Sequence, residues 1–460
     1  MATSPMPDDL ETLVPEPWTG REFEADPAPF LERLRAAHGP VAPVELMGVR
    51  LWMVLDYRES LEVLQDETAW RKDMSHWRAM TQGRVPRDWS LLSTGLTRRS
   101  MMSYDGEEHR RASIVLDRAM RPFQHPTHPQ ARALREAVAR IADELLDLMT
   151  EGGDGTGTAD LCAQYTRPLP VMVVGRLFGF PADLDDELLM DVWRALDGST
   201  DTVAAAERLI AAMERLAERK KAEPGDDLVS GLLAASPGLP AAQLAVELYQ
   251  VLSVGADSTG NLIANTVLEV LRGNTGACAA LASGRTGEAV NHAAIACPPI
   301  GALPLRFAAS DVPVGRYVIA AGDPVAVSVV AAHRDPAFAG RLAADALHST
   351  RAHLAWGAGQ HQCPARDLAG SIVSIALERL FARFSRLEPV EPLDELPWRA
   401  TLSVRSLRAL VVRYELAPAP HGGEGREVTR EADAAAQVPR TEQPRTGLRR
   451  LLGALRRRVG

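Results

Sequence analysis

A single cysteine closes a glycine-rich loop and opens an apolar helical run, in His353-Leu-Ala-Trp-Gly-Ala-Gly-Gln-His-Gln-Cys363-Pro-Ala-Arg-Asp-Leu-Ala. Pro364 suits a first helical turn, where its missing N–H costs nothing. Ala369, Val373, Leu377, Leu380 and Phe384 then recur as one buried stripe. The spacing predicts Cys363 at a helix N-terminus, where unpaired N–H groups and the positive end of the macrodipole favour a thiolate. Gly357 and Gly359 permit the tight turns that bring further N–H groups toward the sulfur. The result is a soft, anionic metal ligand. A lone cysteine is usually only a small buried hydrophobe, so its neighbours decide between the two.

The second unusual segment lies in the longest helical pattern of the chain, 241–272, closed by Gly273-Asn274. Within an apolar run stand Gly255-Ala-Asp257-Ser258-Thr259-Gly260-Asn261, polar and helix-weakening residues that a core helix would avoid. Apolar residues on both sides argue against a solvent face.

The order aromatic-Gly-x-Gly-x-His-x-Cys resembles the haem-binding loop of the cytochrome P-450 family, with Trp356, Gly357, Gly359, His361 and Cys363 in the motif positions. The resemblance implies that Cys363 binds haem iron and that its anionic sulfur favours O–O cleavage. It also implies that His361 faces a propionate and that Trp356, in place of a usual Phe, packs against the porphyrin. Ala365 departs from the usual Gly. The 255–261 cluster resembles the family's distal helix, with Asp257 in the acid position, Ser258 in that of the usual threonine and Thr259 as its possible substitute. Their implied role is to relay protons. Serine lacks the methyl that would hold its rotamer, so uncoupled peroxide release is expected.

Asp105-Gly-Glu-Glu-His109 resembles the segment in which a histidine, and an arginine four residues on, bind propionates. His109 fits, but Ser113 stands where the arginine is expected, leaving Arg110 or Arg111 to compensate. Arg306 matches another propionate-binding arginine, whose donors form a fork suited to a carboxylate. The largest departure precedes Cys297-Pro298-Pro299: the family's Glu-x-x-Arg pair falls on His292 and Ile295, and the nearest alternative is Glu288 with Asn291. A branch of bacterial members also lacks the pair. His333-Arg334-Asp335-Pro336 and Ser406-Leu-Arg-Ala-Leu-Val-Val-Arg follow the family order, and the resemblance spans 40–414.

The chain has 460 residues, 46% hydrophobic and 24% charged, which is ample material for a large core. Extended residues 49–55 followed by a helical 57–64 give an α+β beginning. Helical periodicity dominates 107–281, as in 133–149 and 204–217, with breaks at Pro181, Pro224 and Pro237. Val312-Pro-Val-Gly-Arg-Tyr-Val-Ile marks a late hairpin. The expected fold is mainly α with small β-sheets (α+β), built on a long central distal helix and a cysteine-ligand loop. The expected division is a flexible arm over 1–20, one domain over 21–416 and a disordered tail over 417–460. That tail places Leu448, Leu451, Leu452, Leu455 and Val459 on one face among arginines, suited to membrane-surface or protein docking if it is more than a solvated end.

The N-terminal residues show neither a leader pattern nor a transmembrane span. Cys162, Cys278, Cys297 and Cys363 form no C-x-x-C pair, so reduced thiols and a cytoplasmic location are expected. A net charge of -9 argues against nucleic acid. The resemblance implies haem b between the distal helix and the Cys363 loop, monooxygenation of a small apolar substrate, and electrons from a separate ferredoxin and ferredoxin reductase. A pocket drawing on 91–97, the surroundings of Val254, 300–303 and 401–404 follows from the same resemblance. The rival is a haem-binding partner or sensor with little turnover, motivated by the changes at His292, Ile295, Ser113 and Ala365. A haem-free helical scaffold is the third reading.

Overall fold

Apolar residues three and four apart in sequence give each long helix one face to bury. The computed structural model describes residues 6–418 except 19–22, 24–25, 87–88, 90–97, 182–185, 197–200, 341–348 and 400–403. The helices that matter for the site are α1 (Tyr57–Gln65), α2 (Gly106–Gln124), α3 (Pro129–Thr150), α4 (Pro168–Phe178), α5 (Thr202–Ala222), α6 (Ala241–Gln250), α7 (Asp257–Leu271), α8 (Thr286–Ala296), α9 (Val329–Arg334) and α10 (Arg366–Arg383). Helix α3 shows the periodicity plainly, burying Ala131, Leu134, Val138, Leu145 and Met149 along one stripe. Helix α10 is more enclosed: Ile372, Val373, Ile375, Ala376, Leu377 and Leu380 are all buried, because α3, α7 and α8 pack around it.

The strands are β1 (Glu16–Pro17), β2 (Val41–Leu46), β3 (Val49–Val54), β4 (Trp70–Arg71), β5 (Thr156–Asp160), β6 (Ala302–Ala308), β7 (Val312–Val314), β8 (Tyr317–Ile319), β9 (Pro324–Ser328), β10 (Phe384–Pro389) and β11 (Val411–Leu416). Six of them form one mixed sheet in the order β1-β2-β3-β9-β6-β4, while β10-β11-β5 and β7-β8 make two small sheets. The mainly helical fold with small sheets and the 312–319 hairpin match the expectation. Strand β5 does not, since it sits inside the stretch read as helical. Its pairing with β11, as in Ala159↔Val412, joins residues far apart in sequence and leaves no local signal.

The expected arm over 1–20 also differs. Leu10 and Trp18 are each 3% exposed, Asp8 Oδ2 accepts the Val318 N–H at 2.7 Å, and Trp18 donates its backbone N–H to Glu45 at 2.8 Å. The tail from 419 onward, including its amphipathic end, lies outside the described residues. No helix among the described residues is long and apolar enough to cross a membrane.

The pattern read over 241–272 is one helical path. Helix α6 runs into a π-helical segment, Val251–Ala256, and then into α7. A π segment adds a residue to the turn and frequently marks a functional site. Gly260, which looked like a helix-weakening choice, has a packing reason: a Cβ there would lie 2.6 Å from the Thr166 carbonyl oxygen. Gly260→Ala should therefore lower stability by about 1–3 kcal/mol. Gly255→Ala, with nothing within 4 Å of the added carbon, should leave the fold as stable or more so. Thermal melting of the two variants checks the contrast.

Candidate active site

Two 3-10 turns, Leu354–Trp356 and Gly359–His361, shape the cysteine loop. Gly357 and Gly359 take φ of 69° and 71°, the left-handed region that side chains resist. At Gly359 a Cβ would also overlap the Leu64 carbonyl at the end of α1, so the glycine lets the loop seat on that helix. Gly357 donates to Leu354 O at 2.8 Å, Gln362 to Gly359 O at 3.1 Å and Cys363 to Trp356 O at 2.8 Å. Gln124 Nε2 donates to Pro364 O at 2.7 Å, tying the end of α2 to the residue after the cysteine.

The helix begins at Arg366, so Cys363 precedes it by a turn and Pro364 is not in its first turn as expected. The electrostatic expectation needs the same correction. Burial pushes the Cys363 thiol up, outweighing the Ala365 backbone N–H and the Arg366 charge that favour the thiolate. The metal-free sulfur is a neutral thiol, and a metal that displaces its proton converts it to the thiolate outright.

Cys363, His361 and Lys72 are each partly accessible in the folded chain, yet burial is the largest cause of the shift of all three. Beside them the rings of His109 and His361 sit 3.9 Å apart between centroids. Burial drives His361 down to about 2, helped by Lys72, His109 and Arg306, and burial also lowers His109. Arg306 is 6% exposed and has no hydrogen bond or ion pair among the described residues. Burial lowers it to about 10.

Lys72 was missed by sequence reasoning. Strand β4 pairs Arg71 with Phe307 on β6, and the next step of that register sets Lys72 beside Arg306. Its ammonium donates to Leu305 O at 3.2 Å, and burial, then Arg306, lower it to about 7. The nearby Asp105 carboxylate is committed to the backbone N–H groups of Lys72 and Asp73, at 2.9 and 3.0 Å.

Arg110 and Arg111, expected to compensate for Ser113, do not reach this place. Both are exposed and paired with Glu107. Ser113 Oγ instead meets His109 Nε2 at 3.3 Å, leaving the buried His109 Nδ1 without a partner. Lys72 and Arg306, with the His109 imidazole beside them, form a donor set for an anionic group, offset in part by Asp105 and by Glu67, whose buried Oε1 has no partner among the described residues. The two propionates of haem fit it.

On the distal path Asp257, Ser258 and Thr259 are adjacent but face different partners. Ser258 Oγ donates to Val254 O at 2.6 Å and stays partly exposed; Thr259 Oγ1 donates to Gly255 O at 2.6 Å and is 8% exposed. Val254 is 37% exposed, and a Cβ at Gly255 would meet nothing within 4 Å. Of the two hydroxyls, Ser258 therefore borders open space and Thr259 turns inward. Asp257 is not free: Arg399 Nη1 holds its Oδ1 at 3.0 Å, with side chains 11% and 9% exposed for Arg399 and Asp257. Nothing local in the sequence pointed to Arg399. Residues 91–97 and 401–403, assigned to the pocket, lie outside the described residues.

Behind the loop the Glu288–Asn291 alternative separates. Glu288 pairs with Arg285 at 2.8 Å, while Asn291 turns toward the segment that leads into the cysteine loop.

No protein-family profile matches the chain. Whole-length relatives do. The 2-hydroxy-5-methyl-1-naphthoate 7-hydroxylase of Streptomyces carzinostaticus is 29% identical over 398 residues, 83% of this chain and 94% of that protein. The cytochrome P-450 monooxygenase PikC of Streptomyces venezuelae is 30% identical over 413 residues, 86% of this chain and 92% of that protein. Among solved structures, CYP154A1 from Streptomyces coelicolor A3(2) superposes with a TM-score of 0.73 at 30% identity, covering 87% of this chain and 99% of that one. CYP154C4 from Streptomyces sp. W2061 gives 0.76 at 26% identity over 87% and 98% of the two chains. Likeness that covers most of the chain in both relatives and structures means that this chain belongs to the cytochrome P-450 family of haem-dependent monooxygenases.

Proposed function

We propose that this enzyme binds haem b through Cys363 and inserts one atom of dioxygen into a small apolar organic substrate, with electrons from a separate ferredoxin and its reductase. The observation that carries the reading is the Cys363 loop, whose two left-handed glycines and Cys363 N–H···Trp356 bond hold the cysteine in a fixed place. When bound, haem supplies dioxygen binding and one-electron chemistry, and its thiolate ligand favours O–O cleavage.

The chain's own residues divide the remaining work. His109, His361, Arg306 and Lys72 hold the propionates, the guanidinium by its planar fork and the ammonium as a point charge. Trp356 packs on the porphyrin face, and Gly357 and Gly359 keep the loop close to it. On the distal side the Ser258 hydroxyl, released from the Val254 carbonyl, would donate a proton toward the oxygen site; Asp257, once parted from Arg399 and protonated from water, would replace it, with Thr259 behind as a second hydroxyl. An apolar substrate is supported by Val254 and the open space beside Gly255.

Over 117–140, the end of α2 and the first half of α3, Arg118, Arg121, Arg132, Arg135 and Arg140 outnumber Asp117 and Glu136 on helices that pack against α10, which supports an acidic electron donor. A cytoplasmic location accords with four unpaired cysteines. The rival reading as a little-active haem sensor loses much of its motive, because Lys72 offers a substitute for the arginine absent at Ser113.

With surrogate ferredoxin and reductase, isotope-labelled dioxygen should leave one labelled atom in the product. Ser258→Thr should cut peroxide formed per electron consumed to roughly half, by restoring the methyl that fixes the hydroxyl. Product without label would reject monooxygenation; unchanged peroxide would reject the role of Ser258. Lys72→Met should release haem to a scavenging protein roughly tenfold faster, as loss of a charge-assisted bond predicts, whereas Arg110→Ala and Arg111→Ala should not change that rate.

A further inference from the structure

Family members carry a buried glutamate and arginine behind the haem, and here those positions are His292 and Ile295. The structure joins the same two segments with uncharged groups. Asn291 Nδ2 donates to Thr350 O at 3.0 Å, and Asn291 Oδ1 meets His353 Nε2 at 2.8 Å. His333 Nδ1 meets Ile295 O at 3.0 Å, and His333 Nε2 meets the Leu354 N–H at 2.8 Å. So the backbone of Ile295, rather than a side chain at that position, serves as the anchor on α8.

These contacts fix both tautomers. A carbonyl can only accept, so His333 carries its proton on Nδ1 and keeps Nε2 bare for the Leu354 N–H. The Asn291 oxygen likewise accepts, since its nitrogen is donating to Thr350, so His353 is protonated on Nε2. Its Nδ1, buried and without a partner among the described residues, is the bare nitrogen this assignment requires. The two imidazoles are 5% and 3% exposed, and burial holds both neutral, lowering His333 to about 4 and His353 to about 3. Arg351 and Arg366 near His353 add to that lowering.

The bonds continue to the sulfur. Leu354, held by His333, opens the turn whose carbonyl receives Gly357 N–H at 2.8 Å, and Trp356 at its end receives Cys363 N–H at 2.8 Å. A neutral network avoids the desolvation that a buried ion pair incurs, yet fixes backbone position through directional bonds.

We propose that Asn291, His353 and His333 are positioning residues that replace the family's buried ion pair and hold the ligand loop so that Cys363 remains bound to iron as a thiolate. The proposal rests on the reading of Cys363 as the haem ligand. Outer partners of this kind typically cost about 10-fold or more when removed.

The test uses the full-length holoprotein and two readouts, the Soret position of the reduced carbon monoxide complex and the ferric/ferrous midpoint potential. Asn291→Leu and His353→Phe keep volume and remove the bond. Each should raise the fraction of unshifted Soret band roughly tenfold and move the potential. Their double variant should be little worse than Asn291→Leu alone, because His353→Phe removes a bond that Asn291→Leu already breaks. His353→Gln, whose amide N–H reaches the place of Nε2–H, should restore the wild-type values. If Asn291→Leu does not fold, the His353→Phe and His353→Gln pair decides. Wild-type spectra and potentials in both bond-removing variants, with a red-shifted wild type, would overturn this proposal alone. A wild type without the red shift would remove the Cys363 ligand and this proposal with it.

Discussion

A negatively charged sulfur survives in a protein interior only where metal, backbone N–H groups and fixed geometry together outweigh the loss of water. Burial alone works against Cys363, whose thiol is pushed up. The sequence around it makes physical sense as the answer to that penalty: left-handed glycines turn the loop, one backbone bond pins the cysteine to Trp356, and Gln124 clamps the following proline. Each fixes position before any metal arrives, which keeps the thiolate from having to organise its own surroundings.

Charge is handled differently on the two sides of the cysteine loop. At the proposed propionate edge Lys72 and Arg306 lie beside Asp105 and Glu67, and burial first, then the nearby cations, keeps His361 neutral. Such a site is unfavourable empty and relieved by an anionic group. Behind the loop, where no anion is due, the same protein uses amides and imidazoles in defined tautomers. On the distal helix the Asp257 carboxylate is held by Arg399, so opposite charges meet directly there.

Much of this was legible in the sequence where the cause is local. Helical spacing located α3, α10 and the distal path, and the loop's residue order singled out the left-handed turns at Gly357 and Gly359. What was hidden depends on contacts between distant residues. Lys72 gains its place from the register between β4 and β6, Arg399 reaches Asp257 across 142 positions, and β5 exists only because β11 lies beside it. Local reasoning also erred about charge: it credited Cys363 with a helix terminus that begins a turn later, and Arg110 and Arg111 with a task that their exposed face denies them. Gly260 is the instructive case between, a residue noticed for its weak helix propensity and explained only by the Thr166 carbonyl against it.

The central claim is that the Cys363 sulfur bonds to iron, and the absorption spectrum of the reduced carbon monoxide complex tests it most directly. The wild-type protein should show a strongly red-shifted Soret band, and Cys363→Ala, if it retains haem in the propionate site, should show an unshifted one. An identical spectrum from the two proteins would contradict the account, since the iron would then owe its electronic character to some other ligand.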